Sequence, residues 1–330
     1  MKFDILTFGS VSLDVLIESE KLIVEESKKP HVAEVHIELG EKIRIKNVEF
    51  SVGGGGSNSA ATFAKQGFKV AFLGKIGNDL FGKEIIKDLK KRKIKSFLGK
   101  SKKKTNFSVI LSTKEGRTIF AFRGASNDLQ EKDLKKIPQV EWFYLAPLCG
   151  EAKKLTQKIV SIAKKRKIKV FLNPSKEQLL LKEINEILKN VDILLLNQEE
   201  SAYFTKMPLE KEKEIFLKIL KKTKGVFLMT KGKEGVLSSD GKFLYSAEAL
   251  EGKIVDRTGA GDAFGSGFLC GWIKGKKKKL QGKDLMIYAL QFASANAISC
   301  LSKYGAKEGL LSKKDSIYKF GKIKVKIEKL

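Results

Sequence analysis

Along most of this chain, short apolar runs alternate with longer stretches whose apolar positions recur at helical spacing. From position 141 onward, strand patterns at 142–145, Lys169–Leu172, 192–196 and Val226–Thr230 are separated by helical patterns at 153–165, 197–205 and 211–222. Strands that are almost continuously apolar are buried on both faces, so the alternation predicts an α/β fold: a central, mostly parallel sheet flanked by helices on both faces. The upstream part reads differently. Residues 1–9 form a buried-strand pattern rather than a signal peptide, and 11–17 is a second extended segment carrying one acid, Asp14. Residues 18–30 are charged and loop-like, whereas 32–50 alternates polar with apolar, as half-buried strands do. Residues 108–112 and Arg117–Phe122, joined around Lys114-Glu115-Gly116, read as a hairpin. These pieces predict a small β-sheet of about four strands, a lid formed by about 11–50 and about 96–124 on one α/β domain spanning 1–330.

Two glycine-rich stretches interrupt these patterns. Asp256-Arg257-Thr258-Gly259-Ala260-Gly261-Asp262 runs straight into an apolar, small-residue helical segment. Glycines and alanine at a helix start leave backbone N–H groups uncovered, and the helix dipole favours an anion there. The stretch is therefore a candidate phosphate cradle. A carboxylate at its mouth, Asp262, is badly placed beside phosphate unless it takes a proton from an incoming hydroxyl. Together they read as phosphoryl transfer to an alcohol; the plainer alternative is a glycine-rich turn with Asp262 as an ordinary helix-start residue.

Gly53-Gly54-Gly55-Gly56-Ser57-Asn58 opens a helical pattern over 59–66, followed by Gly67 as a stop and an apolar strand at 70–73. Such a backbone can pass close to a ligand or act as a hinge, and the Asn58 amide can both donate to and accept from hydroxyls. A polyol suits this site, and a flexible linker is the alternative. In parallel sheets ligands bind beyond the carboxyl ends of the strands, which singles out Asn173, Asn197, Glu200, Thr230 and Gly232.

Composition narrows the picture. Hydrophobic residues make up 42% and charged residues 31%, ordinary for a globular protein, and no apolar run approaches the ~18 residues of a membrane span. Cys149, Cys270 and Cys300 lie far apart without metal-binding spacing, so a cytoplasmic, reducing setting is expected and a structural metal is not. His31 and His36 both fall in the lid and read as surface or strand residues, which argues against a histidine-based triad or zinc site. No G-x-x-x-x-G-K-[ST] and no G-x-G-x-x-G is present, against a P-loop or dinucleotide fold. The net charge of +27 comes almost wholly from lysine, since only Arg44, Arg92, Arg117, Arg123, Arg166 and Arg257 are arginine. That field attracts nucleotides and other polyanions. The dense lysine runs at 100–104 and 274–279 lack interleaved aromatics, so they read as solvated surface with no specific nucleic-acid site and no membrane contact.

The motifs in order resemble the ribokinase, or PfkB, family of carbohydrate and nucleoside kinases. They are Gly9-Ser10 with Asp14, the 53–58 cluster, Gly77-Asn78-Asp79-Leu80-Phe81-Gly82, Asn197-Gln198-Glu199-Glu200, Thr230-Lys231-Gly232-Lys233-Glu234-Gly235, and Asp256 through Asp262. Arg257 departs from the family, which more often has a small residue or proline there. The resemblance implies a ribokinase-like fold and an ATP-dependent kinase in which Asp262 is the general base and the backbone of Gly259, Ala260 and Gly261 stabilises the transferred phosphoryl. Asp14, Gly53, Gly54 and Asn58 would hold a sugar acceptor. Asn197, Thr230, Gly232, Gly235 and Asn296 would border ATP, and Glu200 would organise Mg2+ through water. Asp256 and Thr258 match a monovalent-cation (K+) site, and the family's lid sheets imply a homodimer. Arg123, in the second lid hairpin, could meet an acidic or phosphorylated sugar. Two alternatives stay open: a nucleoside kinase of the same fold, and a non-catalytic sugar, nucleotide or nucleic-acid binding protein.

Overall fold

The computed structural model describes residues 2–18, 23–26, 33–113 and 117–330. Along the chain run β1 (Lys2–Phe8), β2 (Ser12–Glu18), β3 (Ile23–Glu26), β4 (Ala33–His36), β5 (Asn47–Gly53), α1 (Gly55–Lys65), β6 (Val70–Gly77), α2 (Leu80–Lys91), β7 (Lys95–Ser101), β8 (Asn106–Ser112), β9 (Arg117–Phe122) and β10 (Gln139–Leu145). There follow α3 (Leu155–Arg166), β11 (Lys169–Leu172), α4 (Lys176–Leu179), α5 (Ile184–Leu188), β12 (Ile193–Asn197), α6 (Gln198–Thr205), α7 (Glu212–Leu220), β13 (Val226–Thr230), β14 (Val236–Ser239), β15 (Phe243–Ala247), α8 (Ala260–Lys277), α9 (Gly282–Leu301) and β16 (Val325–Lys329).

Ten strands form one sheet in the order β16-β15-β14-β13-β12-β11-β10-β1-β6-β7. Every neighbouring pair from β13 to β7 is parallel, and β14, β15 and β16 extend the sheet antiparallel. The parallel strands are apolar on both sides because both sides are covered. On one face, Leu6, Phe8, Phe143 and Leu194 pack against α3, α5 and α7 through Ile159, Ile187 and Phe216. On the other, Ile5, Phe72, Tyr144 and Leu195 meet α1, α2, α8 and α9 through Phe63, Ile85, Phe268 and Met286. The expected α/β architecture is thus present.

A second sheet, ordered β5-β2-β8-β9, stands apart as the lid. It is mixed: β2 runs antiparallel to β5 and parallel to β8, with Asp14 opposite both Ser51 and Ser108. Two expectations need correction. Part of the stretch read as a charged loop is the strand β3, where the β-branched pair Ile23-Val24 favours an extended backbone that pairs antiparallel with β4. The start of the expected 96–124 lid segment is β7, which pairs with β6 in the main sheet, so the second half of the small sheet begins at Asn106. The hairpin β8–β9 forms as expected, with its turn at 114–116 outside the described residues, as is His31. His36 is exposed on β4.

The chain leaves β1 for β6 on one side, while β10 lies on the other. Connections that diverge in this way open a crevice beyond the carboxyl ends of the two strands, at Gly9-Ser10 and Ala146-Pro147. Both glycine clusters converge there.

Candidate active site

Helix α8 starts from Gly259, which has φ 77°. A side chain there would need a left-handed backbone and would sit 2.3 Å from Ala306 Cβ, so glycine is required. The Ala263 N–H donates to Gly259 O at 2.8 Å. The N–H groups of Ala260, Gly261 and Asp262 therefore precede the first intrahelical donor, Ala263, and face outward with the positive end of the dipole. Apart from its chain neighbours and its own helix backbone, nothing described lies within 4 Å of the place a Gly261 side chain would occupy, which leaves room for an anion to approach.

Asp262, in the first turn of α8, accepts a hydrogen bond at its Oδ2 from Asn58 Nδ2 of α1, at 2.9 Å. Burial pushes the Asp262 carboxyl above the usual range, and the Asn58 donor only partly offsets this. A carboxylate made more basic in this way is a better proton acceptor near neutral pH. The Asn58 Oδ1 is buried and has no partner among the described residues. A buried acceptor is costly to leave unpaired, and a ligand hydroxyl would satisfy it.

Asp14 projects from β2. Ser12 Oγ donates to its Oδ1 at 2.8 Å, and burial raises its carboxyl against the lowering influence of Ser12 and Ser108. The Gly53-Gly54 turn fits tightly around it: a Cβ on Gly53 would lie 1.8 Å from Asp14 Oδ2, and one on Gly54 2.6 Å from Ser10 O. Gly54, at φ 91°, is the residue before α1, which begins four residues earlier than its pattern suggested. The glycines thus serve close packing between lid strand, base helix and crevice.

Asp14, Gly54, Asn58, Glu200, Thr258, Gly259 and Asp262 line one cavity of about 570 Å3, with Gly53, Ala260 and Gly261 next to them in the chain. A cavity of about 800 Å3 on the other side of Asp14 does not reach Asp262. Asn197 closes β12 beside Thr230, which closes β13. Asn197 and Glu200 form a reciprocal cap at the start of α6, with Glu200 N–H donating to Asn197 Oδ1 at 2.7 Å and Asn197 N–H to Glu200 Oε2 at 2.9 Å. Burial raises the Glu200 carboxyl. Gly232 has φ 60° and open space around it, whereas Gly235 shapes the β13–β14 turn, a Cβ there falling 2.0 Å from Ala247 O.

Asn296 is not brought to the cavity. It is fully buried, with Nδ2 donating to Ala263 O at 2.8 Å and Oδ1 accepting from Leu311 N–H at 3.0 Å, so its amide ties α9 to α8 instead of meeting a base. Several cavity residues carry no glycine or motif signal. Ser12, Asn106 and Ser108 come from lid strands at positions two apart on one face, and that alternation is the signal that could have found them. Asn106 Oδ1 accepts from the Gly124 and Ser126 N–H groups at 3.0 Å each, fixing the return from β9. Arg123 and Lys176 add positive charge to the rim. The described residues contain no group of three or more His, Cys, Asp or Glu able to hold a metal. Glu200 alone faces the cavity from the α6 side, which suits Mg2+ held by one carboxylate, water and phosphate oxygens rather than by a protein cage. No described helix is long and apolar enough to cross a membrane.

The chain is 26% identical over 327 residues to a ribokinase of Lactococcus lactis, covering 98% of this chain and 96% of that one. It is 28% identical over 282 residues to a probable fructokinase-5 of Arabidopsis thaliana, covering 80% and 86%. The fold overlays the structure of Arabidopsis thaliana ribokinase complexed with ribose and ATP at a TM-score of 0.75 and 24% identity, covering 97% and 99%. It overlays a Sinorhizobium meliloti adenosine kinase equally well, at 20% identity, covering 95% and 98%. The model of the pfkB family carbohydrate kinases matches residues 4–313. The chain belongs to that family, and is an ATP-dependent phosphotransferase with an alcohol as acceptor.

Proposed function

We propose that the acceptor is a small sugar of ribose or fructose size, that Asp262 deprotonates its attacking hydroxyl, and that the N–H groups at the start of α8 receive the charge of the transferred phosphoryl. The observation that carries this reading is the pair Asn58–Asp262: a basic carboxylate held at 2.9 Å by an amide whose own oxygen lacks a partner, at the mouth of an open helix start. A sugar hydroxyl would donate to Asn58 Oδ1 while its neighbour gives its proton to Asp262. Asp14, steadied by Ser12, would accept from a further hydroxyl. Of the described residues around the cavity, Ile110, Ile119, Ala121 and Leu148 are aliphatic and Phe122 is the one aromatic, which favours a sugar over a nucleoside with a base to stack. Asn197, Thr230 and Gly232 would border ATP beyond β12 and β13. Bound with the nucleotide near Glu200, Mg2+ supplies charge neutralisation on the phosphates.

The lid also supports a homodimer. Strand alternation turns Asp14, Ser108 and Ala121 to the cavity and leaves Val48, Phe50 and Phe120 exposed on the opposite face, a patch that a second lid would cover. Free Cys149, Cys270 and Cys300 suit a reducing compartment such as the cytosol.

The test is ATP turnover against ribose, fructose, related sugars and adenosine, for the native chain and for Asp262→Asn. One sugar is expected to dominate, and the variant to lose ~10²-fold or more in kcat, the usual cost of losing a general base. Turnover best with adenosine, or a variant retaining tens of percent of kcat, would overturn the assignment.

A further inference from the structure

Beside the cradle, the acid implied as a monovalent-cation ligand is already occupied. Asp256 is buried at the end of the loop leading to Gly259. Its Oδ1 accepts from Thr258 N–H at 2.8 Å, from Thr258 Oγ at 2.7 Å and from Arg117 Nη1 at 3.2 Å, and its Oδ2 accepts from Gly305 N–H at 2.9 Å. Arg117 Nη1 also donates to Thr258 Oγ1. A carboxylate offers about four lone-pair sites. Four donors, one of them a full positive charge, leave the oxygens with neither the charge nor the room that a K+ ion needs. The residues present do not fit the ion.

Arg117 is the first residue of β9, so the cation comes from the lid and not from the loop. Its side chain crosses to a carboxylate that is 6% exposed, where the guanidinium is poorly screened and the attraction is strongest. Asp14 and Asp256 lie near enough for each to repel the other's charge, which adds to the need for a counter-cation at this spot. We infer that the Arg117 guanidinium takes the place of a free monovalent cation beside Asp256, making the cradle loop independent of K+ and pinning the lid strand β9 to it. Arg117 is in this role a positioning residue: it holds Asp256 and Thr258, which lead directly into Gly259, without touching the reacting atoms. The inference rests on the cradle reading above.

The experiment compares thermal unfolding of the full chain in KCl with that in tetramethylammonium chloride at equal ionic strength, so that general screening cancels. Native protein is expected to shift by less than about 1 °C between the two salts. Arg117→Gln, which removes the charge and frees Asp256 Oδ1, is expected to gain a K+-specific rise of about 2–4 °C, as binding to the native state raises stability. Arg117→Lys, which keeps a charge, should gain less. With the best acceptor, Arg117→Gln should fall about 10-fold in kcat in tetramethylammonium and recover in KCl, a rescue that a purely structural role would not produce. A K+-specific shift in the native protein, or none in a folded Arg117→Gln, overturns the inference; should that variant fail to fold in either salt, the native comparison alone decides. Because unfolding requires no substrate, an inactive native chain would count against the kinase reading while leaving this test intact.

Discussion

The two sheets are built on opposite terms. Strands of the large sheet are apolar on both sides, and helices seal each face, so its side chains can do little besides pack. The chemistry is pushed to the strand ends and helix starts, where Asp262 and the open N–H groups sit. In the small sheet each strand has one face toward the cavity, with Ser12, Asp14 and Ser108, and one toward solvent, with Phe50 and Phe120. On the proposed reading the comparison teaches a division of labour: the body would carry the phosphoryl chemistry, and the lid acceptor recognition and association.

Asp262 offers the largest test of that division. Losing it should cut turnover by ~10²-fold or more without harming the fold. Since burial raises the folded carboxyl above its unfolded value, the folded chain holds that proton more tightly, and the ionised form costs stability at neutral pH. Asp262→Asn should therefore unfold at the same or a slightly higher temperature than the native protein. The native pH–rate profile should lose activity as pH falls through a value above that of an ordinary aspartate, about 4. A marked drop in melting temperature for this variant would break the separation.

Gly53, at the junction of lid and body, comes next. In Gly53→Ala the new methyl would meet Asp14 Oδ2 at 1.8 Å, so the carboxylate must swing away. The expected result is a rise in KM for the sugar of about 10-fold or more, with a stability loss of about 1–3 kcal/mol, read by steady-state kinetics and denaturant melts. Replacing Phe50 and Phe120 together with serine should convert a dimer to a monomer in sedimentation velocity and barely change the melting temperature, because both rings are exposed in the single chain.

The smallest effect belongs to Lys307, a buried amine behind the lid paired with Asp88 at 3.0 Å. Burial lowers its pKa to about 8. Between pH 8 and about 10 the unfolded chain binds a proton that the folded chain does not, so this group makes stability rise with pH across that window. Lys307→Met should flatten the rise in melts taken from pH 8 to 10; Asp88 keeps Arg92 at 2.8 Å as its partner.

The body was the more legible half. Lys169–Leu172 and Val226–Thr230 are legible to the residue because strands buried on both faces are polar only at an end, here Lys169 and Thr230. The edge escaped: β14, β15 and β16 lie at the end of the sheet, and β7, with Lys95 and Lys100 among its apolar positions, reads from about 96 as part of the lid. The glycine clusters marked the site because close packing and an open helix start both exclude side chains. Asn296 misled because a small-residue helix is equally suited to pressing against another helix, which is what α9 does against α8. Arg117 carried no signal, since its partner Asp256 is 139 residues away and only the tertiary fold brings them together.

The joint between the sheets also acts as a ruler. Ser51, opposite Asp14, lies two residues before Gly53, the end of the lid strand β5, and Asn58, which donates to Asp262, follows one turn into α1 with Gly54 alone between the two elements. One extra residue inserted after Gly54 would turn every following side chain of that helix by about 100° about its axis, swinging the amide off the carboxylate while leaving the strand in place. For the proposed site, the count of residues from Ser51 to Asn58 would consequently matter as much as their identity.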